Sequence, residues 1–262
     1  IVLVILTAMV ILGGIKSIAR VTQWLVSIMA LMYLSGALAV LVCFAPQLPH
    51  AFRLIFEGAF SGTAAAGGFA GSTMMMALRY GIARGLFSNE AGLGSAPMAH
   101  CAADTDHPVR QGLYGVFEVF VDTMLVCTAT ALVILLTDTW NSGLTGAALS
   151  VRSFGTGLPG ATGLVVVTCG LVLFAYSTLL GWSYYGETGI VYLLGAKAAM
   201  PYRVAWLLFV YLGATGSLHV VWDVADTLNG LMAIPNLIGL LASIPLLLRL
   251  HREFSSLTPP PK

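Results

Sequence analysis

Two carboxylates four residues apart in an otherwise apolar stretch are the first groups here whose chemistry needs an explanation. They are Glu118 and Asp122, in "GLYGVFEVFVDTMLVCTATAL". On a helix that spacing puts both on one face. Asp122 stands about eleven residues, roughly 17 Å, from the nearer helix end. A carboxylate at such depth marks an ion or proton path, or else a protonated or hydrogen-bonded group that locks two helices together. A second set lies in "FAYSTLLGWSYYGE", where Thr178, Trp182 and Tyr185 recur at i, i+4 and i+7 beside Ser177. A hydroxyl next to a large aromatic suits a small polar ligand, and the same stripe also serves as ordinary packing.

Two further groups stand out. Residues 58–82 carry Gly62, Gly67, Gly68 and Gly71 with hydroxyls at Ser61, Thr63, Ser72 and Thr73. Glycine costs about 1 kcal/mol of helix propensity against alanine, so this cluster weakens a helix at its middle. Unwound backbone at membrane depth lines a cavity or is buried in protein. Gly67 and Gly71 also fit a small-xxx-small packing motif, which needs no unwinding. The stretch "HVVWDVADTLNGLMAIPN" adds Asp223, Asp226, Asn229 and Asn236.

The elements that must position these groups follow from composition. Apolar residues make up 58% of the chain and charged residues 9%, against about 25% charged in soluble domains. Residues 21–52, 58–78, 153–186, 204–222 and 227–248 contain no Asp, Glu, Lys or Arg. Each reaches the roughly 20 residues that cross a bilayer. The reading is an all-α, polytopic membrane protein with helices at about 1–13, 22–45, 58–82, 111–137, 158–193, 203–220 and 227–249. "GAALSVRSF" is expected to form a short surface helix, and "SSLTPPPK" a frayed end. The 12 basic and 11 acidic residues nearly cancel, which argues against a nucleic-acid partner. Four scattered cysteines match no zinc site or disulfide framework.

With helices alternating in direction, ten of the twelve basic residues fall on one side, leaving Arg53 and Arg152 on the other. That bias makes the crowded side cytoplasmic. It puts Arg84, Asp104 and Asp106 on the cytoplasmic side, and Asp223 and Asp226 on the outer one. A magnesium-dependent transferase would need both acidic pairs at one site, so the chain is expected not to be an enzyme, with no catalytic residues, no organic cofactor and no metal cluster. The opening "IVLVILTAMVILGG" has neither an initiator Met nor the flanks of a signal peptide. Ile1 is therefore expected to lie inside a helix already under way, and the chain to be the C-terminal piece of something longer.

The segment "ARGLFSNEAGLGSAPMAHCAADTDHPVRQGL" (83–113) resembles the signature region of the alanine/glycine:cation symporter family of bacterial sodium–amino acid transporters. So do "VFVDTMLVCTATALVILL" (119–136), "YSTLLGWSYYGE" (176–187) and "VWDVADTLNGLMAIPN" (221–236). The resemblance covers nearly the whole chain. It implies a leucine-transporter-like inverted-repeat fold, here partial, from the end of core helix 4 through helix 10. In that frame 1–262 is one transmembrane domain. Helix 5 is about 22–45, the broken helix 6 about 58–82, helix 7 about 111–137, helix 8 about 158–193, and helices 9–10 about 203–249.

The resemblance also implies sodium-coupled symport of alanine or glycine in the bacterial cytoplasmic membrane, with the small neutral amino acid, sodium and the lipid bilayer as partners. Proton coupling, a passive pore and a sensor are the alternatives. Carried over by position, Gly68, Phe69, Gly71 and Ser72 with Thr178 and Trp182 would bind substrate. Ser177 or Thr178 would take sodium, with Asp122 in ion coupling. Asn89 and Glu90 would form a cytoplasmic gate, their polar atoms bonded to neighbouring backbone when it is shut. A pocket against glycine backbone and closed by Trp182 would suit a side chain no larger than methyl. Core helices 1–3 and most of helix 4 have no counterpart in these residues, so the chain by itself is expected not to transport.

Overall fold

Long uncharged runs leave the backbone one way to satisfy its hydrogen bonds in hydrocarbon, which is to bond within each segment as a helix. The computed structural model describes residues 1–60, 74–216 and 218–257, and among these every regular element is helical. In chain order they are α1 (Val2–Ile11), α2 (Gly14–Cys43), α3 (Leu48–Phe60), α4 (Met74–Asn89), α5 (Ala96–His100) and α6 (Pro108–Phe120). A π-helical segment, Val121–Cys127, joins α6 to α7 (Thr128–Leu136). Then come α8 (Gly146–Gly157), α9 (Thr162–Leu194), α10 (Ala199–Thr215), α11 (Leu218–Ala242) and α12 (Ile244–Leu257), with short 3-10 turns at Ala45–Gln47 and Ala196–Ala198. Four stretches among the described residues are long and apolar enough to cross a membrane: Gly14–Cys43, Pro108–Leu136, Thr162–Leu194 and Val221–Ala242. The chain is a multi-pass membrane protein. Its many exposed large apolar side chains, such as Leu31, Leu38, Phe117, Leu208 and Leu241, suit hydrocarbon rather than water.

Several bounds differ from those that charge alone suggests. The helix expected from about 22 begins at Gly14, so Lys16 and Arg20 ride on its first turns. The last expected helix, 227–249, is instead α11 from Leu218, then a turn at Ser243 and a separate α12. Charged residues end a hydrophobic run without ending the hydrogen-bonded helix. The expected broken helix at 58–82 falls largely on residues outside those described. On either side, α3 ends at Phe60 and α4 runs from Met74 as far as Asn89.

The chain divides into two units, each described here by itself. One comprises Met9–Ile82 and Thr123–Trp182. Its core is built where α2, α7 and α8 meet, around Phe154, Val40, Val133 and Val167, all with no exposed surface. Tyr33 packs on Phe154 with ring centroids 5.2 Å apart and edge-on to Phe174 at 5.8 Å. Its hydroxyl lies 2.6 Å from Thr130 Oγ1. Glycines let the helices close in: a Cβ on Gly157 would come within 2.8 Å of Val40 Cγ1, and one on Gly36 within 2.9 Å of Val166 Cγ1. The helix read in "GAALSVRSF" exists as α8, with one face exposed, as at Ala147, Ala148 and Arg152, and the other turned into the core. Ser153 and Phe154 are fully buried, and Ser153 Oγ meets Thr139 Oγ1 at 2.5 Å.

The other unit comprises Ile1–Ala8, Ala83–Asp122 and Ser183–Lys262. Here α6 packs against α5 and α12. His107 caps α6, its Nδ1 accepting from Val109 N, while its ring lies tilted against Phe254 of α12 with centroids 5.1 Å apart. Arg203 at the start of α10 holds Glu187 of α9 through two hydrogen bonds of 2.6 and 2.7 Å.

Candidate functional site

The second unit's polar chemistry gathers where α4 stops. Asn89 ends the helix, and its side-chain oxygen accepts from Ala91 N at 2.9 Å, which turns the chain. Glu90 then takes a left-handed conformation, φ 57°, followed by Gly92 at 86° and Gly94 at 88°. Glycine adopts these angles without strain and glutamate does not. Glu90 is held by its own side chain, whose Oε2 accepts from the buried Ser95 hydroxyl at 2.6 Å. Leu93 N donates back to the Glu90 carbonyl, and Leu93 itself is buried. Among the described residues, the chain breaks between two helices at Glu90–Ser95; the glycine cluster that the sequence points to lies outside those residues.

This break faces a cavity of about 170 Å³. Ser88, Asn89 and Glu90 form one wall, and Ala96, Ala99 and His100 of α5 another. Glu118 and Asp122 enter from α6 and the π segment, and Tyr185 from α9. It is smaller than the roughly 300–1,000 Å³ clefts that take drug-sized ligands. Ser88 Oγ lies 2.8 and 3.0 Å from the two Asp122 oxygens. His100 is fixed from both sides: Gln111 Nε2 is 2.8 Å from its Nδ1, and its Nε2 is 3.2 Å from Glu118 Oε2. Gln111, Glu118 and Asp122 stand at i, i+7 and i+11, one helix face. The π segment holds Asp122 in a widened turn, a local form that recurs at functional sites. Among the described residues, three carboxylates line the cavity and no Lys or Arg does.

A second helix grips the same region from outside the cavity. Asp226 of α11 accepts from Arg84 Nη2 at 2.6 Å, and the Arg84 guanidinium lies 4.3 Å from the centre of the Trp222 ring, which also meets Phe87 edge-on. This corrects the sidedness drawn from charge, which set Arg84 and Asp226 on opposite faces of the membrane. Because α11 starts at Leu218, Asp226 lies two turns inside the helix instead of ahead of it. Further along, Asn236 Nδ2 donates to the Gly92 carbonyl at 3.0 Å.

The expected site residues thus fall in separate places. Asn89, Glu90 and Asp122, assigned to a gate and to ion coupling, share one cavity. In the other unit, Ser177 is buried, its hydroxyl donating to the Phe174 carbonyl at 3.0 Å with Met29 Sδ 3.8 Å away. Thr178 is exposed and Trp182 half-buried. Gly68, Phe69, Gly71 and Ser72 lie outside the described residues. Sequence reasoning passed over His100 and Gln111, although the shared face of Gln111, Glu118 and Asp122 was legible in their spacing.

An all-helical, multi-pass membrane chain with a helix broken beside a small carboxylate-lined cavity is the class that fold and site define. The chain belongs to the sodium:alanine symporter family, whose model matches residues 1–258. It is 50% identical over 249 residues to the sodium/alanine symporter AgcS of Methanococcus maripaludis, covering 92% of this chain and 52% of that protein. An uncharacterized transporter of Haemophilus influenzae is 46% identical over 242 residues, covering 92% of this chain and 53% of that protein. The probable sodium/glutamine symporter GlnT of Bacillus subtilis is 40% identical over 234 residues, 88% of this chain and 48% of that protein. The chain spans about half the length of the curated relatives it matches.

Proposed function

We propose that this chain is part of a secondary active carrier, not an enzyme, that when intact couples sodium entry to uptake of alanine or glycine across the bacterial cytoplasmic membrane, and that the chain by itself does not transport. The observation that carries the reading is the polar cavity at the α4–α5 break, in a chain matched to the sodium:alanine symporter family along nearly its whole length. The fold that accords with this is the leucine-transporter-like inverted repeat, with the chain supplying one transmembrane domain of it. In such carriers, interrupted helices supply free backbone groups to substrate and ion.

Asn89 and Glu90 form the mobile wall of the cavity, and the Asp122 carboxylate, held by Ser88, serves ion coupling. Ser177 and Thr178 remain the candidate sodium ligands. Trp182 and Thr178, with Gly68, Phe69, Gly71 and Ser72, bound the substrate. Coupling requires that sodium favour the substrate-ready conformation by differential affinity. A second reading, proton coupling, draws on the His100–Glu118 pair, which can carry a proton within the same cavity.

Radiolabelled alanine uptake into proteoliposomes tests this, comparing the chain alone with the chain extended to the length of its relatives. Sodium-driven uptake by the extended form is the expected result. Uptake indifferent to replacing sodium with potassium, but driven by a proton gradient, turns the assignment to protons. No uptake of alanine or glycine under either gradient overturns it.

A further inference from the structure

Asn236 enters none of the roles assigned so far, yet it is the group that meets the strained loop from behind. Its amide donates to the Gly92 carbonyl at 3.0 Å across 144 residues of sequence. Its Cγ and Oδ1 also fill the space beside Gly94, where an added Cβ would come within 3.0 Å of both. Gly92 and Gly94 both have positive φ, angles that glycine adopts freely and a residue with a side chain rarely does, so the contact depends on glycine at both positions. On the cavity side, the Ser95–Glu90 hydrogen bond fixes the same loop. The loop is thus gripped between one contact in the cavity and one on α11.

The residue before Asn236 sharpens its placement. Pro235 lies inside α11 and has no N–H to return to the Leu231 carbonyl. The helix is therefore locally released beside the residue that must reach sideways to Gly92.

We infer that Asn236 is a positioning residue for the cavity: by holding the Gly92 carbonyl and excluding any side chain at 94, it sets the loop that presents Asn89 and Glu90 to that cavity. This rests on the reading of Asn89 and Glu90 as the gate of that carrier. Asn236→Asp keeps the shape but replaces the donor with a carboxylate that repels the Gly92 carbonyl. Gly94→Ala strains the same contact from the loop side.

Both variants are to be measured in the full-length carrier by two readouts: alanine uptake, resolved into KM and maximal rate, and deuterium exchange of the amides in residues 90–95. The expected result for both is a KM raised about tenfold, the order of one lost hydrogen bond, with maximal rate per folded carrier within about twofold. Exchange in 90–95 should rise while peptides of α6 and α12 stay unchanged. Unchanged exchange in that loop overturns the proposal, and so does faster exchange with an unaltered KM. A parent protein that takes up neither alanine nor glycine is a failure of the transport reading instead, and the exchange measurement still decides whether Asn236 holds the loop.

Discussion

Around Phe154, aromatic and aliphatic side chains interlock until a single methyl group on Gly157 would not fit; around Glu90, a handful of polar contacts hold a strained loop open against a cavity. The first region has its hydroxyls turned inward on each other, as Thr139 with Ser153 and Tyr33 with Thr130. The second has carboxylates facing space that a solute can enter. In a bilayer the hydrophobic effect does little to join helices, because lipid is as apolar as leucine, so dense packing has to do it. One region therefore supplies rigidity, and the other holds polar groups at a cost that rigidity elsewhere makes tolerable.

The difference is broken most severely by Phe154→Ala. Truncating so large a buried ring costs about 3–5 kcal/mol, since the void forfeits contacts on every side. Denaturant unfolding in detergent should record that loss, and a change below about 1 kcal/mol would mean the core is looser than its packing implies. Next comes Asp122→Asn, which keeps the shape and the Ser88 contact but removes the charge. Sodium-driven uptake by the full-length carrier should fall by about tenfold or more, the loss of a charged partner's hydrogen bonding, with its melting temperature little changed. Uptake at the parental rate would remove Asp122 from coupling. The mildest is Tyr33→Phe, which deletes one hydroxyl inside the core. Intramembrane hydrogen bonds average about 0.6 kcal/mol, so unfolding should detect a small loss and uptake none.

How far all this could be read in advance differed between the two regions as well. Uncharged runs announced the long helices, and turn residues announced α8, because both signals are local. The burial of α8 was not legible, since serines at a surface and serines bonded to distant threonines read alike. The π segment was equally silent: it differs from an α-helix in hydrogen-bond register, not in residue type. For the cavity, Asp122, Asn89 and Glu90 drew notice singly through charge and glycine context. Their union depends on contacts such as His100 with Glu118 and Asn236 with Gly92, which no spacing rule encodes. Residue type at Gly92 and Gly94 permits the left-handed angles they adopt but does not announce them.

The backbone at Glu90 has a consequence for anyone engineering this chain. A glutamate at φ 57° spends about 1–2 kcal/mol that glycine would not. Stability-guided redesign would accordingly choose glycine there, and the product should melt higher. It should also lose the carboxylate that meets Ser95 and faces the cavity, so thermal robustness and transport would diverge in that one substitution. Screens that rank variants by expression or melting temperature would promote a silent carrier.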